Sequence, residues 1–372
     1  MIASTVALLA CSPGARQKAE QVLLNELERG GSPSVQYFVF NRREVLYTFR
    51  QGMASIEAQQ PAASRTSYNL YSITKTVTAL AVLRLAEQGR VRLDAPVKEY
   101  LPSTPLPAEV TVRHLLSHTS GISDPIPLSW IHLASAHKRF RADDFFQPIL
   151  LSRSEPKFRS GEKFRYSNLG YLVLGQLIGS VSGMTYEEYV KRHVLERLAI
   201  APEALSFWIQ GSGRHATGYH RRWSFSSLLL SLFLDKEQYM GKAVGAWRPF
   251  RPLYVNGAAY GGLVGTPEGL IRYLQEYLRP ESQIITTATK EQLFTETEDA
   301  SGKPTGMCLS WFTGTLNGVR YYTHAGGGGG YYVEVRLYPE QGLGTLVMFN
   351  RTGMRDERFL DRVDTFFLSK AN

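Results

Sequence analysis

Three short groups of residues in this chain have the types and spacing to do chemistry. Ser72 and Lys75, in Ser72-Ile73-Thr74-Lys75, stand about one helical turn apart, so at a helix start both side chains leave the same face. A serine hydroxyl is a weak nucleophile until a base takes its proton, and a lysine becomes that base when burial leaves it neutral. A helix N-terminus adds unpaired amides and the positive end of a dipole, which suit an oxyanion. Tyr166 and Asn168, in Tyr166-Ser167-Asn168, supply a phenol that can relay protons beside a lysine and an amide that can bind a substrate carbonyl. His324-Ala325-Gly326 opens a run of five glycines, 326–330, before the alternating Tyr331, Val333, Val335 and Leu337 of a strand. Glycines at a strand end let a substrate lie against the backbone and let amides point at an oxyanion. A loose hairpin turn is the competing reading, but five glycines are more than a turn requires.

Each string alone is weak. S-x-x-K recurs at Ser135–Lys138, Ser154–Lys157 and Ser160–Lys163, and Y-x-N recurs at Tyr254-Val255-Asn256. Context separates them, because only Ser72 opens a long apolar helix. His114 and His118 are four apart and could grip a metal, yet no H-E-x-x-H arrangement accompanies them. The glycines of Gly211-Ser212-Gly213-Arg214-His215-Ala216 lack the strand and helix that frame a dinucleotide site. No G-x-S-x-G elbow is present, so an α/β-hydrolase is not supported.

The elements that must position these groups follow from periodicity. Arg16–Arg29 carries Ala19, Val22, Leu23 and Leu27 on one helical face and ends at Gly30-Gly31. Val35–Phe40 and Glu44–Phe49 read as a hairpin across Asn41-Arg42-Arg43. The helix from Ser72 to Gln88 is apolar on most sides and is expected between two layers. Thr111–His118, Leu169–Ser180 and Tyr186–Leu198 read as helices, and Thr266-Pro267 caps another that ends at Leu278. Strands are expected at Gly306–Thr315, Val319–His324, Tyr331–Tyr338 and Gly344–Asn350, closed by an amphipathic helix over Arg355–Leu368. This pattern predicts an α+β fold, an antiparallel sheet flanked by N- and C-terminal helices. Residues 16–93 and 300–372 would form the sheet domain, with a mainly helical domain, 94–299, inserted between.

The 372 residues carry 43% hydrophobic and 20% charged side chains, which excludes a disordered or collagen-like chain. Two cysteines, Cys11 and Cys308, exclude a disulfide scaffold and a cysteine-built zinc site. The net charge of +9 is concentrated: His137–Arg165 holds eight Lys/Arg against four Asp/Glu, and Arg214–Arg251 seven against two. A solvated face explains such a surplus, as would an anionic partner, but no nucleic-acid-binding motif accompanies it. Within this region Tyr219–Trp223 and the apolar Ser224–Leu234 fit a substrate lid, a hairpin touching a membrane surface, or a packed helix. Met1–Cys11, MIASTVALLAC, is similar to a lipoprotein cleavage box without its basic start. If processed, with residues 1–15 as signal segment, it places the chain as a periplasmic or membrane-anchored lipoprotein, and otherwise in the cytoplasm.

In order along the chain, S-x-x-K, Y-x-N and H-x-G together resemble the signature of the serine β-lactamase and penicillin-binding-protein superfamily. The surrounding segments LYSITKTVTALAVLRLAEQGRVRLDAPVKEYLP, VTVRHLLSHTSGI, GEKFRYSNLGYLVLGQLIGSVSGMTYEEYV, GGLVGTPEGL and YYTHAGGGGGYY narrow the resemblance to its class C-related branch of esterases, D-aminopeptidases and DD-peptidases. The likeness runs from about Ala19 to Leu368. It implies Ser72 as the acylated nucleophile, Lys75 as proton acceptor and Tyr166 as the base that also protonates the leaving group. It implies Asn168, His324 and Gly326 at the substrate, and the amides of Ser72 and Gly327 as the oxyanion hole. No metal and no cofactor is implied, and the substrate would be a small or peptide-like molecule. A non-catalytic member binding a peptide or cell-envelope ligand in the same cleft is the alternative. His324 stands where lactamases and peptidases usually carry lysine, which weakens recognition of a substrate carboxylate and points to an ester or amide. Ser160-Gly161-Glu162 replaces the usual Pro-Gly, and Gly211–Phe250 aligns poorly.

Overall fold

The computed structural model describes residues 12–125, 129–222, 234–352, 354 and 358–368. Residues 1–11, with the expected cleavage box, and all of Ser224–Leu234 except Leu234 lie outside them. After helix α1 (Pro13–Glu28) the chain forms β1 (Ser34–Asn41), β2 (Val45–Ser55) and the short β3 (Gln60–Pro61). Near the other end come β4 (Phe312–Leu316), β5 (Val319–Gly328), β6 (Tyr331–Tyr338) and β7 (Leu343–Phe349). These make one antiparallel sheet in the order β4-β5-β6-β7-β1-β2-β3, so β1 from the N-terminal part and β7 from the C-terminal part lie side by side.

Alternation along each strand explains how this sheet divides the core, because successive side chains point to opposite faces. Phe38 and Phe40 of β1, Val333, Val335 and Leu337 of β6, and Leu346 and Met348 of β7 join one apolar cluster. Tyr37 and Val39, Tyr332 and Tyr338, and Val347 and Phe349 join the other, under α1 and the C-terminal segment. Helix α2 (Thr74–Glu87) fills the first layer, with eleven of its fourteen residues buried, as expected of a helix apolar all round. Helix α3 (Val112–Leu116), helix α4 (Asn168–Ser182) and helix α5 (Pro267–Leu278) also lie in this layer.

Several expectations need correction. The middle of the chain also carries small sheets among the described residues, including Ile131–Leu133 with Leu253–Val255 and Tyr219–Arg221 with Trp247–Pro249. The expected strand from Gly306 is regular only from Phe312, since Met307–Trp311 turns back, with the Cys308 amide donating to the Trp311 carbonyl at 2.7 Å. The closing helix is only the single turn α6 (Asp361–Asp364) among the described residues. Polar groups, besides its apolar face, hold it. Asp364 accepts from Tyr37, Tyr338 and Thr345 at 2.7–2.9 Å, and Asp361 pairs with buried Arg336 at 2.6 Å.

Candidate active site

Ser72 does not begin the α-helix but sits in a 3₁₀ turn, Tyr71–Ile73, directly before it. Tyr71 has φ of 46°, the left-handed region that bulky side chains avoid, and its hydroxyl donates to the Gly329 carbonyl at 2.8 Å. The turn closes through the Ile73 amide and the Leu70 carbonyl at 3.2 Å. One turn further on, Lys75 donates from Nζ to Ser72 Oγ at 3.0 Å and to the Tyr260 carbonyl at 2.8 Å. Lys75 is fully buried, and its ammonium lies 4.9, 5.7 and 5.4 Å from the ring centroids of Tyr166, Tyr171 and Tyr260. Removal from water disfavours its charged form and draws its pKa from 10.5 to about 7, against the opposing pull of Asp124. At neutral pH a large share of Lys75 is therefore a free amine, hydrogen-bonded to the Ser72 hydroxyl.

Tyr166 reaches this centre from the segment before α4. Asp124 fixes that helix start: Oδ1 accepts from the Ser167 hydroxyl at 2.9 Å and the Leu169 amide at 3.0 Å, and Oδ2 accepts from the Asn168 amide at 2.6 Å. A carboxylate on three N-terminal donors satisfies the amides and opposes the helix dipole. Ser167 adds its own cap, accepting the Gly170 amide at 3.1 Å.

The third wall is β5. Its glycines 326–328 are not a loose turn: they pair with Val333, Tyr332 and Tyr331 in the sheet ladder. They let the strand press on the turn that carries Ser72. A Cβ on Gly326 would meet the Leu70 carbonyl oxygen at 2.1 Å, and one on Gly328 the Tyr71 ring at 2.5 Å. Gly326 itself is buried against this turn. Ser72 and Gly327, in contrast, both line a cavity of about 890 Å³ together with Tyr166, His324, Phe312 and Tyr332. Asn168 lies on an adjoining cavity of about 180 Å³ that Ser72 and Gly327 also line.

His324 is 1% exposed, and its Nδ1 lies 2.8 Å from the carbonyl of Ala325. A carbonyl only accepts, so the proton is on Nδ1 and the lone pair on Nε2. Burial and then the neighbouring Lys75 pull its pKa from 6.5 to about 3, so the ring is neutral across the physiological range. Phe312 and Tyr166 flank it, with ring centroids 5.6 and 6.3 Å away.

The structure thus brings Ser72, Lys75, Tyr166, His324 and Gly327 together and leaves the competing strings elsewhere. The hydroxyls of Ser154 and Ser160 bond to the Leu151 and Ser120 carbonyls, and Tyr254 accepts the Ile209 amide. His114 and His118 do not act as a pair. His114 closes a capping box with Thr111, whereas His118 stacks on Tyr166. Sequence reading missed Asp124 and the Tyr260 carbonyl. Asp124 lies 44 positions before Asn168 with no spacing signal to join them, and a carbonyl carries no side-chain signal at all.

A family model described as Beta-lactamase matches residues 19–367. Protein flp of Staphylococcus aureus is 23% identical over 357 residues, 94% of this chain, which itself spans 66% of that relative. An octameric penicillin-binding protein homologue from Pyrococcus abyssi superposes with a TM-score of 0.72 at 26% identity, over 90% of this chain and 73% of that one. A D-amino acid amidase from Ochrobactrum anthropi shares the fold with a TM-score of 0.74 at 18% identity, over 95% of this chain and 98% of its own.

Proposed function

This chain belongs to the beta-lactamase family of serine hydrolases, and from that premise we propose that it cleaves an ester or amide through an acyl-enzyme on Ser72. One observation carries the reading: the Lys75 amine, drawn to a pKa of about 7, stands 3.0 Å from the Ser72 hydroxyl at the floor of a cavity. In the acylation step Ser72 Oγ bonds to the substrate carbonyl carbon while its proton passes to Lys75. The negative charge that develops on the carbonyl oxygen is met by the amides of Ser72 and Gly327. Tyr166, beside the Lys75 ammonium, carries the proton to the departing alcohol or amine as the carbonyl–leaving-group bond breaks. Water then attacks the acyl carbon, the proton returns to Ser72, and the acid is released.

The neutral state of His324 supports an ester or amide over a substrate held by its carboxylate. A lysine there would bring a permanent charge, whereas an imidazole with a pKa near 3 offers only a lone pair. The cavity wall is largely aromatic, through Phe312, Tyr321, Tyr331 and Tyr332, and its cation is Arg358, which pairs with Asp361 at 3.0 Å.

The test combines labelling with turnover. A fluorophosphonate probe followed by intact mass should add one label to the wild type and none to Ser72→Ala. A panel of p-nitrophenyl esters, D-amino acid amides and a chromogenic cephalosporin should show turnover of esters or amides ahead of the cephalosporin. Labelling that survives Ser72→Ala removes the nucleophile from its role. Ligand affinity without turnover on any substrate favours a binding protein instead.

A further inference from the structure

Tyr166 lies in the irregular segment before α4, so neither a strand ladder nor a helix holds its phenol beside Lys75. His118 grips it from three directions. The His118 carbonyl accepts the amide of Arg165 at 2.7 Å, and its Nδ1 accepts the amide of Ser167 at 3.1 Å. Its imidazole stacks on the Tyr166 ring, with centroids 4.3 Å apart and planes 28° from parallel. One residue therefore pins both chain neighbours of Tyr166 and covers a face of its ring.

His118 is itself held firmly. It is 1% exposed, its backbone has φ of 58°, and its ring lies 5.0 Å from that of Tyr171, whose hydroxyl donates to the Leu116 carbonyl at 2.8 Å. The amide of Ser167 can only donate, so Nδ1 must carry the lone pair and Nε2 the proton. Burial, then the neighbouring charge of Lys75, keep the ring far below the ordinary histidine range, so this one neutral tautomer persists at neutral pH.

We propose that His118 is a positioning residue for the Tyr166 phenol, acting through the Ser167 amide and the ring stack without touching substrate. This rests on the reading of Tyr166 as the proton carrier. It assigns His118 work that a residue of the general core would not do: orienting one catalytic side chain through a specific acceptor nitrogen.

Two isosteres separate the acceptor from the bulk of the ring. His118→Asn puts an amide oxygen near the Nδ1 position, where it can accept from Ser167. His118→Gln puts its oxygen near Nε2, where it cannot. His118→Gln should lower kcat about 100-fold with KM held within about twofold, since a catalytic group displaced by about 1 Å costs that much. His118→Asn should recover about tenfold of the loss at a similar Tm. In a Tyr166→Phe background the two variants should become equal, because an effect exerted through the phenol disappears with it. Equal activity of the two in the wild-type background, or an undiminished difference in the Tyr166→Phe background, overturns the proposal. A fully active Tyr166→Phe instead defeats the proton-carrier reading by itself. Nitrogen-15 NMR of the wild type gives a readout independent of folding of any variant: it should find the His118 proton on Nε2, and a proton on Nδ1 also overturns the clamp.

Discussion

Gly326→Ala is the sharpest perturbation the site allows, because its consequence can be worked from contacts. The new Cβ would stand 2.1 Å from the Leu70 carbonyl oxygen, 3.0 Å from the Ser72 nitrogen and 3.2 Å from the Ile73 nitrogen. An ordinary carbon–oxygen approach is about 3.3 Å, so strand and turn must separate by roughly 1 Å. No flexible side chain can absorb the shift, because all three atoms are backbone. The Leu70 carbonyl also closes the turn through the Ile73 amide, so it cannot move without carrying Ser72 with it. A nucleophile displaced by about 1 Å loses about 100-fold in rate, and overpacking of this kind costs about 1–3 kcal/mol. The assay is the second-order rate constant for fluorophosphonate labelling, read by intact mass, alongside thermal unfolding. Gly213→Ala, whose Cβ would meet nothing within 4 Å, is the control and should label at the wild-type rate. Gly326→Ala with wild-type labelling and wild-type Tm would refute the claim that this strand sets the serine's position.

The remaining predictions concern charge. Asp124→Asn should cost about 1–3 kcal/mol, because an amide cannot accept from both faces as the carboxylate does. It should also move the alkaline-rising limb of the rate profile below pH 7, since Asp124 holds the Lys75 pKa up; an unmoved limb contradicts that coupling. For Lys75 itself, the folded-state pKa of about 7 lies below the ordinary 10.5, so the unfolded chain binds the proton more tightly. The native state is penalised in full below about pH 7 and progressively relieved as pH rises toward 10.5. Lys75→Met should therefore abolish labelling yet raise Tm, most at pH 7 and below, with the gain shrinking toward pH 10; a Tm gain that grows with pH reverses the sign and the argument. His324→Ala should keep a rate limb near pH 7, because His324 titrates near 3; loss of that limb would transfer it from Lys75 to the imidazole.

What the sequence disclosed, and what it hid, divides by range. The Ser72–Lys75 pair was legible because the two residues are three apart and the helix that follows Ser72 announces its burial by being apolar all round. The helix at Thr266-Pro267 was legible for the same reason, its cap and first residue being adjacent. The β1–β2 hairpin was legible from its β-branched and aromatic content and β6 from alternation, whereas the two-residue β3 left no such signal. The clamp on Tyr166 was not: His118 stood out only for its distance from His114, and nothing local says that its imidazole meets a tyrosine 48 positions on. The glycine run shows a subtler limit. Five glycines were correctly seen as too many for a turn, but whether they welcome a ligand or another stretch of backbone depends on what faces them. At Gly326 and Gly328 it is the protein's own turn. The C-terminal segment misled through its apolar periodicity, because among its described residues only Asp361–Asp364 are α-helical and the contacts of buried Asp364 and of Asp361 also hold it.

The pairing of β1 with β7 has a consequence for synthesis. Ser34 reaches Asn350 through its amide and hydroxyl, 316 residues apart in the chain. A growing polypeptide thus presents the hairpin of β1 and β2 with one edge bare through most of translation, a template for wrong partners until the last strand arrives. The serine and its lysine emerge early, but the strand that backs them comes some 250 residues later. The cavity that Ser72 lines is therefore incomplete until β5 has been made, because His324 and Gly327 form part of its wall.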